Sequence, residues 1–366
     1  MFVAALQLSI AASAILLTAV LACWAANAVM TGVRPAVPTF FWPLVAYTGW
    51  TLVSVAFSDQ PMTSLVDAKE VLLFLVVPVV FQLARGARAT TLATVIITVG
   101  AGTAVIGIVQ YGILEYDQLG QRTRGSMGHY MTYAGLLMMV IGLAVARILF
   151  AARDRAWAAL VLPALSVALA LTLTRNAMLG ACVGVGLLLI LKDLRLLAAA
   201  PIIAAIALAF APAQVTDRVY STFDLQNPTN RDRLAMIRAG AGMVRDHPLT
   251  GVGPEMVERV YPRYRPSNAV NATNPHLHNV PLQIAAERGL PALALWLWFV
   301  VAVVADLIRR FARSETRVLA AAGLAAMASM LAAGLFEYNF GDSEFLMLFL
   351  FLITLPFAAT QSTIHN

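Results

Sequence analysis

The chain has 366 residues, of which 60% are hydrophobic and 12% charged, with a mean hydropathy of +0.79 and a net charge of +6. Soluble domains carry about 25% charged residues, so this composition excludes a soluble globular protein. A transmembrane β-barrel is excluded as well, because the alternating segments of about 10 residues that such spans require are absent. Cys23 and Cys182 both lie inside apolar segments and form no disulfide framework.

In chain order, apolar stretches fall near 3–30, 37–57, 70–84, 89–113, 129–150, 156–174, 176–191 and 195–213. After a long polar interval come 290–308, 318–335 and 343–360. Most are long enough to cross a bilayer as helices. The first follows Met1 with no basic segment before it, so it is expected to be a span, not a removed leader. It is long enough to hide a hairpin, which makes the expected count eleven or twelve. The expected class is all-α: a polytopic membrane protein with an N-terminal bundle (1–213), one large, partly helical loop (214–289) and C-terminal helices (290–366), all within a single integrated domain.

Basic residues in short connections set the orientation. Arg34, Arg85, Arg88, Arg153, Arg155, Lys192, Arg195, Arg309, Arg310, Arg313 and Arg317 fall in one set of connections, expected to be cytoplasmic. Lys69, Arg122, Arg124 and Arg175 fall in the other. The 214–289 loop lies with the second set, outside the cytoplasm, and a loop of this length is not governed by the charge rule.

The loop carries nine arginines and no lysine. Arginine presents a permanently charged planar fork that matches phosphate oxygens. A helix is expected from Asn230 or Asp232 to about Arg245, a second from Pro254 to Tyr264, and a third over 277–288. The third would start at Asn274 or His276 and be closed by Gly289. His276 and His278 are two residues apart, a spacing that does not share a helical face, and no His-Glu-x-x-His pattern exists, so neither metal nor cofactor is expected. His278 is the candidate proton acceptor, and Asn279 beside it is a candidate substrate contact. His365 is terminal and carries no expectation. Glu287 is expected to cap locally or to pair with Arg288. Tyr338, Asn339 and Asp342 sit at the outer end of the last spans.

Several short patterns occur in order along the chain. They are Val53-Ser54-Val55-Ala56-Phe57-Ser58-Asp59-Gln60-Pro61, the Arg122–Gly135 stretch and Thr172-Leu173-Thr174-Arg175-Asn176-Ala177. Arg233-Leu234 follows, then His247-Pro248-Leu249-Thr250-Gly251-Val252-Gly253, and finally His278-Asn279 with Leu282, Glu287 and Gly289. Together they resemble the bacterial O-antigen ligase family, within the O-antigen ligase/polymerase superfamily. Two departures stand out: threonine replaces a serine before Arg175, and Ile237 replaces an aromatic residue four positions after Arg233.

The resemblance implies a GT-C-like helical glycosyltransferase in the bacterial inner membrane, with its active site facing the periplasm. The donor would be a glycan on undecaprenyl pyrophosphate and the acceptor lipid A-core, both reached among membrane lipids. No nucleic acid is involved. Arg175 and Arg233 would hold the pyrophosphate, with Arg122, Arg124 and Arg265 as further candidates. Fixed cations can stabilise that leaving group without a metal. His278 would take the acceptor proton, and direct attack would invert the anomeric centre. An O-antigen polymerase or a protein O-glycosylating ligase would use similar chemistry. A transporter of an anionic lipid or solute is the alternative of another class, although the repeats expected of transporters are not evident.

Overall fold

The computed structural model describes all residues except 33–35, 117, 120, 222, 223, 225 and 362–366. Arg34 and His365 therefore lie outside the described residues. The described residues are helical with no strand. Among the described residues six helices are long and apolar enough to span a membrane: α2 (Ile10–Thr31), α6 (Ala87–Gly112), α7 (Tyr130–Phe150), α9 (Arg175–Lys192), α14 (Val280–Phe311) and α15 (Arg317–Gly334). Three shorter apolar helices run among them, α3 (Phe41–Ala56), α8 (Arg155–Leu171) and α16 (Ser343–Ala358). The protein is thus an all-α, polytopic membrane protein.

The remaining apolar stretches are not the unbroken spans that the sequence suggests. The first contains α1 (Phe2–Ala5), too short to be a span, and the chain restarts at α2 with the Ser9 hydroxyl accepting from Ala12 N. No hairpin of two spans forms there, which removes the twelfth. The 70–84 stretch follows α4 (Pro61–Asp67) and is divided between a 3₁₀ run (Ala68–Leu75) and α5 (Val76–Leu83). Glu70 stands at its start, with Asp67 and Lys69 just before it. Pro78 cannot donate back to Phe74, so the preceding turn tightens. The 195–213 stretch likewise splits into a 3₁₀ run (Leu194–Ala199) and α10 (Ala200–Ala209), with Pro201 at the break.

The core lies along α7, α15 and α16. Nearly every residue of α7 and α16 is buried, including Tyr133, Met138, Phe345, Phe349 and Phe351. Helices apolar all round belong inside a bundle. Small residues allow close approach: a Cβ on Gly180 or Gly184 would collide with the Met138 sulfur or the Ser329 hydroxyl of the neighbouring helices. One end of the bundle is marked by Gly86 N to Ala358 O, Thr39 to Asp306 and Arg310 to Pro356 O. The long polar loop caps the other end.

Within that loop α11 (Ala213–Tyr220) precedes α12 (Pro228–Asp246) and α13 (Val257–Tyr264). The second of these begins earlier than the sequence suggests. Asn227, not Asn230 or Asp232, is its cap, accepting from Thr229 N, and Pro228 occupies the first turn, where its missing N–H costs nothing. The third expected helix is the start of α14. Its cap is Asn279, accepting from Leu282 N, instead of Asn274 or His276, and it runs through a kink at Gly289 (φ 78°) into the membrane. The loop carries a small apolar core of its own, with Met236, Met243, Val257, Tyr261 and Leu277 buried together.

Candidate functional site

Three short polar motifs meet where the loop joins the bundle. The backbone of 248–253 lies against 286–290: Val252 N donates to Ala286 O (2.9 Å), Gly253 N to Glu287 O (2.9 Å) and Leu290 N to Pro248 O (2.8 Å). Gly251 and Gly289 both have positive φ, and a Cβ on either would fall about 2 Å from backbone atoms across the seam. Ser54 Oγ sits 2.6 Å from Thr250 O and 2.9 Å from Glu287 O, and Ser64 Oγ donates to Pro254 O (2.7 Å). Glu287 does more than pair with Arg288, since its Oε1 also accepts from Glu255 N (3.0 Å). This serine–glycine seam is structural, and it fixes where the following segment emerges.

That segment is 274–279. Asp232 of α12 accepts from Asn271 Nδ2 (2.7 Å) and Asn274 Nδ2 (3.5 Å). Leu277 is buried, and its N–H donates to Gln283 Oε1 (2.7 Å). His278 is held at φ 48°, a left-handed conformation uncommon outside glycine, between these anchors and the Asn279 cap. Both polar ends of the Asn279 side chain are engaged by the fold, Oδ1 as the cap and Nδ2 donating to Leu335 O (3.1 Å).

The sequence reading kept His276 and His278 apart because no helix would align them. In the structure both lie in an irregular segment, with ring centroids 4.2 Å apart, edge to face. Glu337, in the turn after α15, joins them: His278 Nδ1 is 2.9 Å from both carboxylate oxygens and His276 Nε2 is 3.7 Å from one. Among the described residues this is the group whose ligand atoms, all within 4.8 Å, come close enough to hold a metal ion. Because a carboxylate only accepts, the short contact assigns the proton of neutral His278 to Nδ1 and leaves Nε2 to accept another. Burial lowers the His276 pKa to about 4, helped by His278 and opposed by Glu337. Burial pushes the Glu337 carboxyl up, but the His278 hydrogen bond, the two histidines and Tyr338 N–H together hold it below the usual range.

Two cavities flank this group. One, of about 270 Å³, is lined by Arg122, Arg175, Arg233, Asp232 and His278. The other, of about 250 Å³, is lined by His129, His276, Asn339 and Asp342. Met131, Asn176 and Glu337 line both and form the wall between them. Arg175 opens α9 after the cap position Thr174, and Leu173 just before that cap is held at φ 53°. Its Nη1 donates to Ser221 O (3.1 Å), while its buried Nη2 has no hydrogen-bond partner among the described residues. Arg122 stacks over the Tyr130 ring at 4.6 Å. Arg124 and Arg265 are exposed and line neither cavity. Of the sequence candidates, the structure therefore gathers Arg122, Arg175, Arg233 and His278.

Residues 158–297 match the model of the O-antigen ligase family. No curated protein matches the chain. The resemblance carried by the motifs is borne out over that stretch, where the chain is similar to the O-antigen ligase family. The matched stretch contains Arg175, Asp232, Arg233 and His278, while Arg122 and Glu337 lie outside it. Glu337 is the residue that sequence reasoning missed. Its one signal was an acidic residue in the polar run Glu337–Asp342 between two strongly apolar helices.

Proposed function

We propose that the protein transfers an O-antigen glycan from undecaprenyl pyrophosphate to lipid A-core at the periplasmic face of the inner membrane. The observation that carries this reading is the His278–Glu337 pair on the wall of a cavity lined by Arg122, Arg175 and Arg233. The pyrophosphate sits among the three guanidiniums and at the start of α9, where backbone N–H groups also favour an anion. The acceptor hydroxyl oxygen attacks the anomeric carbon while the bond from that carbon to the phosphate oxygen breaks. The hydroxyl proton passes to His278 Nε2, and the electron pair leaves on the pyrophosphate. Charge grows on both sides of the reacting carbon: the arginines stabilise the leaving anion, and Glu337 holds the ring and stabilises the imidazolium. A single displacement inverts the anomeric configuration.

The test is a transfer assay with purified protein, undecaprenyl-pyrophosphate glycan and lipid A-core in detergent with EDTA. Glycan appearing on lipid A-core, and lost in His278→Ala and Arg175→Ala, supports the reading. Dependence on an added metal ion would instead assign His276, His278 and Glu337 to a metal centre. Lengthened lipid-linked glycan without lipid A-core product would make the protein a polymerase. Uptake of labelled substrate into vesicles with no product of either kind would make it a transporter.

A further inference from the structure

The two cavities differ in charge. The first presents three arginines, whereas among the described residues no arginine or lysine lines the second. The second has the carboxyl groups of Glu337 and Asp342 and the imidazole rings of His129 and His276. It also contains two buried polar atoms without a hydrogen-bond partner among the described residues, Asn339 Oδ1 and His276 Nδ1. Asn339 is 6% exposed and held by its Nδ2, which donates to Met330 O (3.3 Å). An unmet buried polar atom carries a desolvation cost that a ligand hydroxyl would remove. Met138 and Phe345 give the same cavity an apolar side suited to the C–H face of a sugar ring.

We infer that the second cavity receives the sugar residue bearing the attacking hydroxyl, and that it selects an uncharged residue over a phosphorylated one. This rests on the transfer reading above and extends it. A phosphate placed beside Glu337 and Asp342 meets like charge with no cation to offset it, whereas the same group in the arginine cavity is neutralised. The wall formed by Met131, Asn176 and Glu337 separates the substrates by charge, and the His278–Glu337 pair stands where their reacting atoms meet.

The experiment measures transfer kinetics for wild type, Asn339→Ala, His276→Gln and Asp342→Asn, varying donor and acceptor separately. The acceptor KM is expected to rise about tenfold in the first two variants, the worth of roughly one buried hydrogen bond, with the donor KM within about twofold. Asp342→Asn keeps an acceptor for the α16 cap and is expected to narrow the preference for a neutral acceptor sugar over its phosphorylated form. An unchanged acceptor KM, or an equal rise in the donor KM, overturns the proposal. If no acceptor is glycosylated at all, the transfer reading falls. The cavity is then decided by titrating lipid A-core onto wild type and Asn339→Ala in detergent: loss of affinity in the variant keeps the subsite, and equal affinity overturns it.

Discussion

At the scale of single residues, the site depends on groups that the sequence makes visible to different degrees. Arg175 and His278 stand out because a permanent cation and a titratable ring lie beside long apolar stretches. Glu337 does not, because an acid at a helix end is ordinarily solvated, and only the return of α15 brings it within 2.9 Å of His278. Replacing His278 with alanine is expected to lower kcat by about 10²–10⁴-fold, the usual contribution of a general base, measured at saturating donor and acceptor. Arg175→Ala and Arg233→Ala each remove a charge-assisted contact worth about 1.5–3 kcal/mol. Each should also weaken inhibition by inorganic pyrophosphate. Arg124→Ala and Arg265→Ala, outside both cavities, should leave that inhibition unchanged, and a loss equal to that of Arg175→Ala would move the anion site.

At the scale of elements, unbroken apolar helices were legible and interrupted ones were not. The α7 and α15 stretches have uniform hydrophobicity and no internal proline, and their ends fall close to where the apolar runs stop. The 70–84 segment reads as one short span, yet it is divided between a 3₁₀ run and α5 with Pro78 near the break, and Asp67 at the end of α4 lies 3.5 Å from Arg288 at the seam. Caps failed for a related reason: more than one asparagine stands near the start of α12 and of α14, and only the tertiary anchors decide which of them serves. Asn279→Ala should cost about 0.5–2 kcal/mol through loss of the cap and reduce activity by loosening His278. Its effect on kcat should exceed its effect on donor KM. Leu277→Ala, in the loop's own core, should cost about 2–5 kcal/mol, read as a lower apparent unfolding temperature in detergent. A variant of Leu277 that unfolds like wild type would show that the loop core does not hold the segment.

At the scale of the whole molecule, two bodies are joined: a membrane bundle with α7 and α16 at its centre and a polar cap with a separate apolar core. The bundle was legible from composition. The cap was not, because its core is assembled from residues scattered between turns. The joint is also where acid should act. His276 titrates near 6.5 when exposed and near 4 in the fold. Below about pH 6.5 the unfolded chain therefore takes up a proton that the native state refuses, and stability falls as pH drops toward 4. Glu337, held below its ordinary range, loses its contribution in the same direction. Thermal unfolding followed from pH 7 to pH 4 should show a falling midpoint, and His276→Gln should flatten the upper part of that fall. An equally steep slope in the variant would assign the acid sensitivity elsewhere.

The seam between 248–253 and 286–290 also divides the cap by its tolerance for change in length. Backbone hydrogen bonds on both sides of Gly251 and Gly289 fix the register there, so one residue inserted between Pro248 and Gly253 would shift each partner by one place and displace His278 with them. The stretch 266–270 has no such constraint, being mostly exposed and spanning two anchored points. Inserted residues would be carried outward there at little cost, since each doubling of a flexible loop adds only about 0.6 kcal/mol. Variation in the size of this cap among similar chains is thus expected in the second stretch and absent from the first.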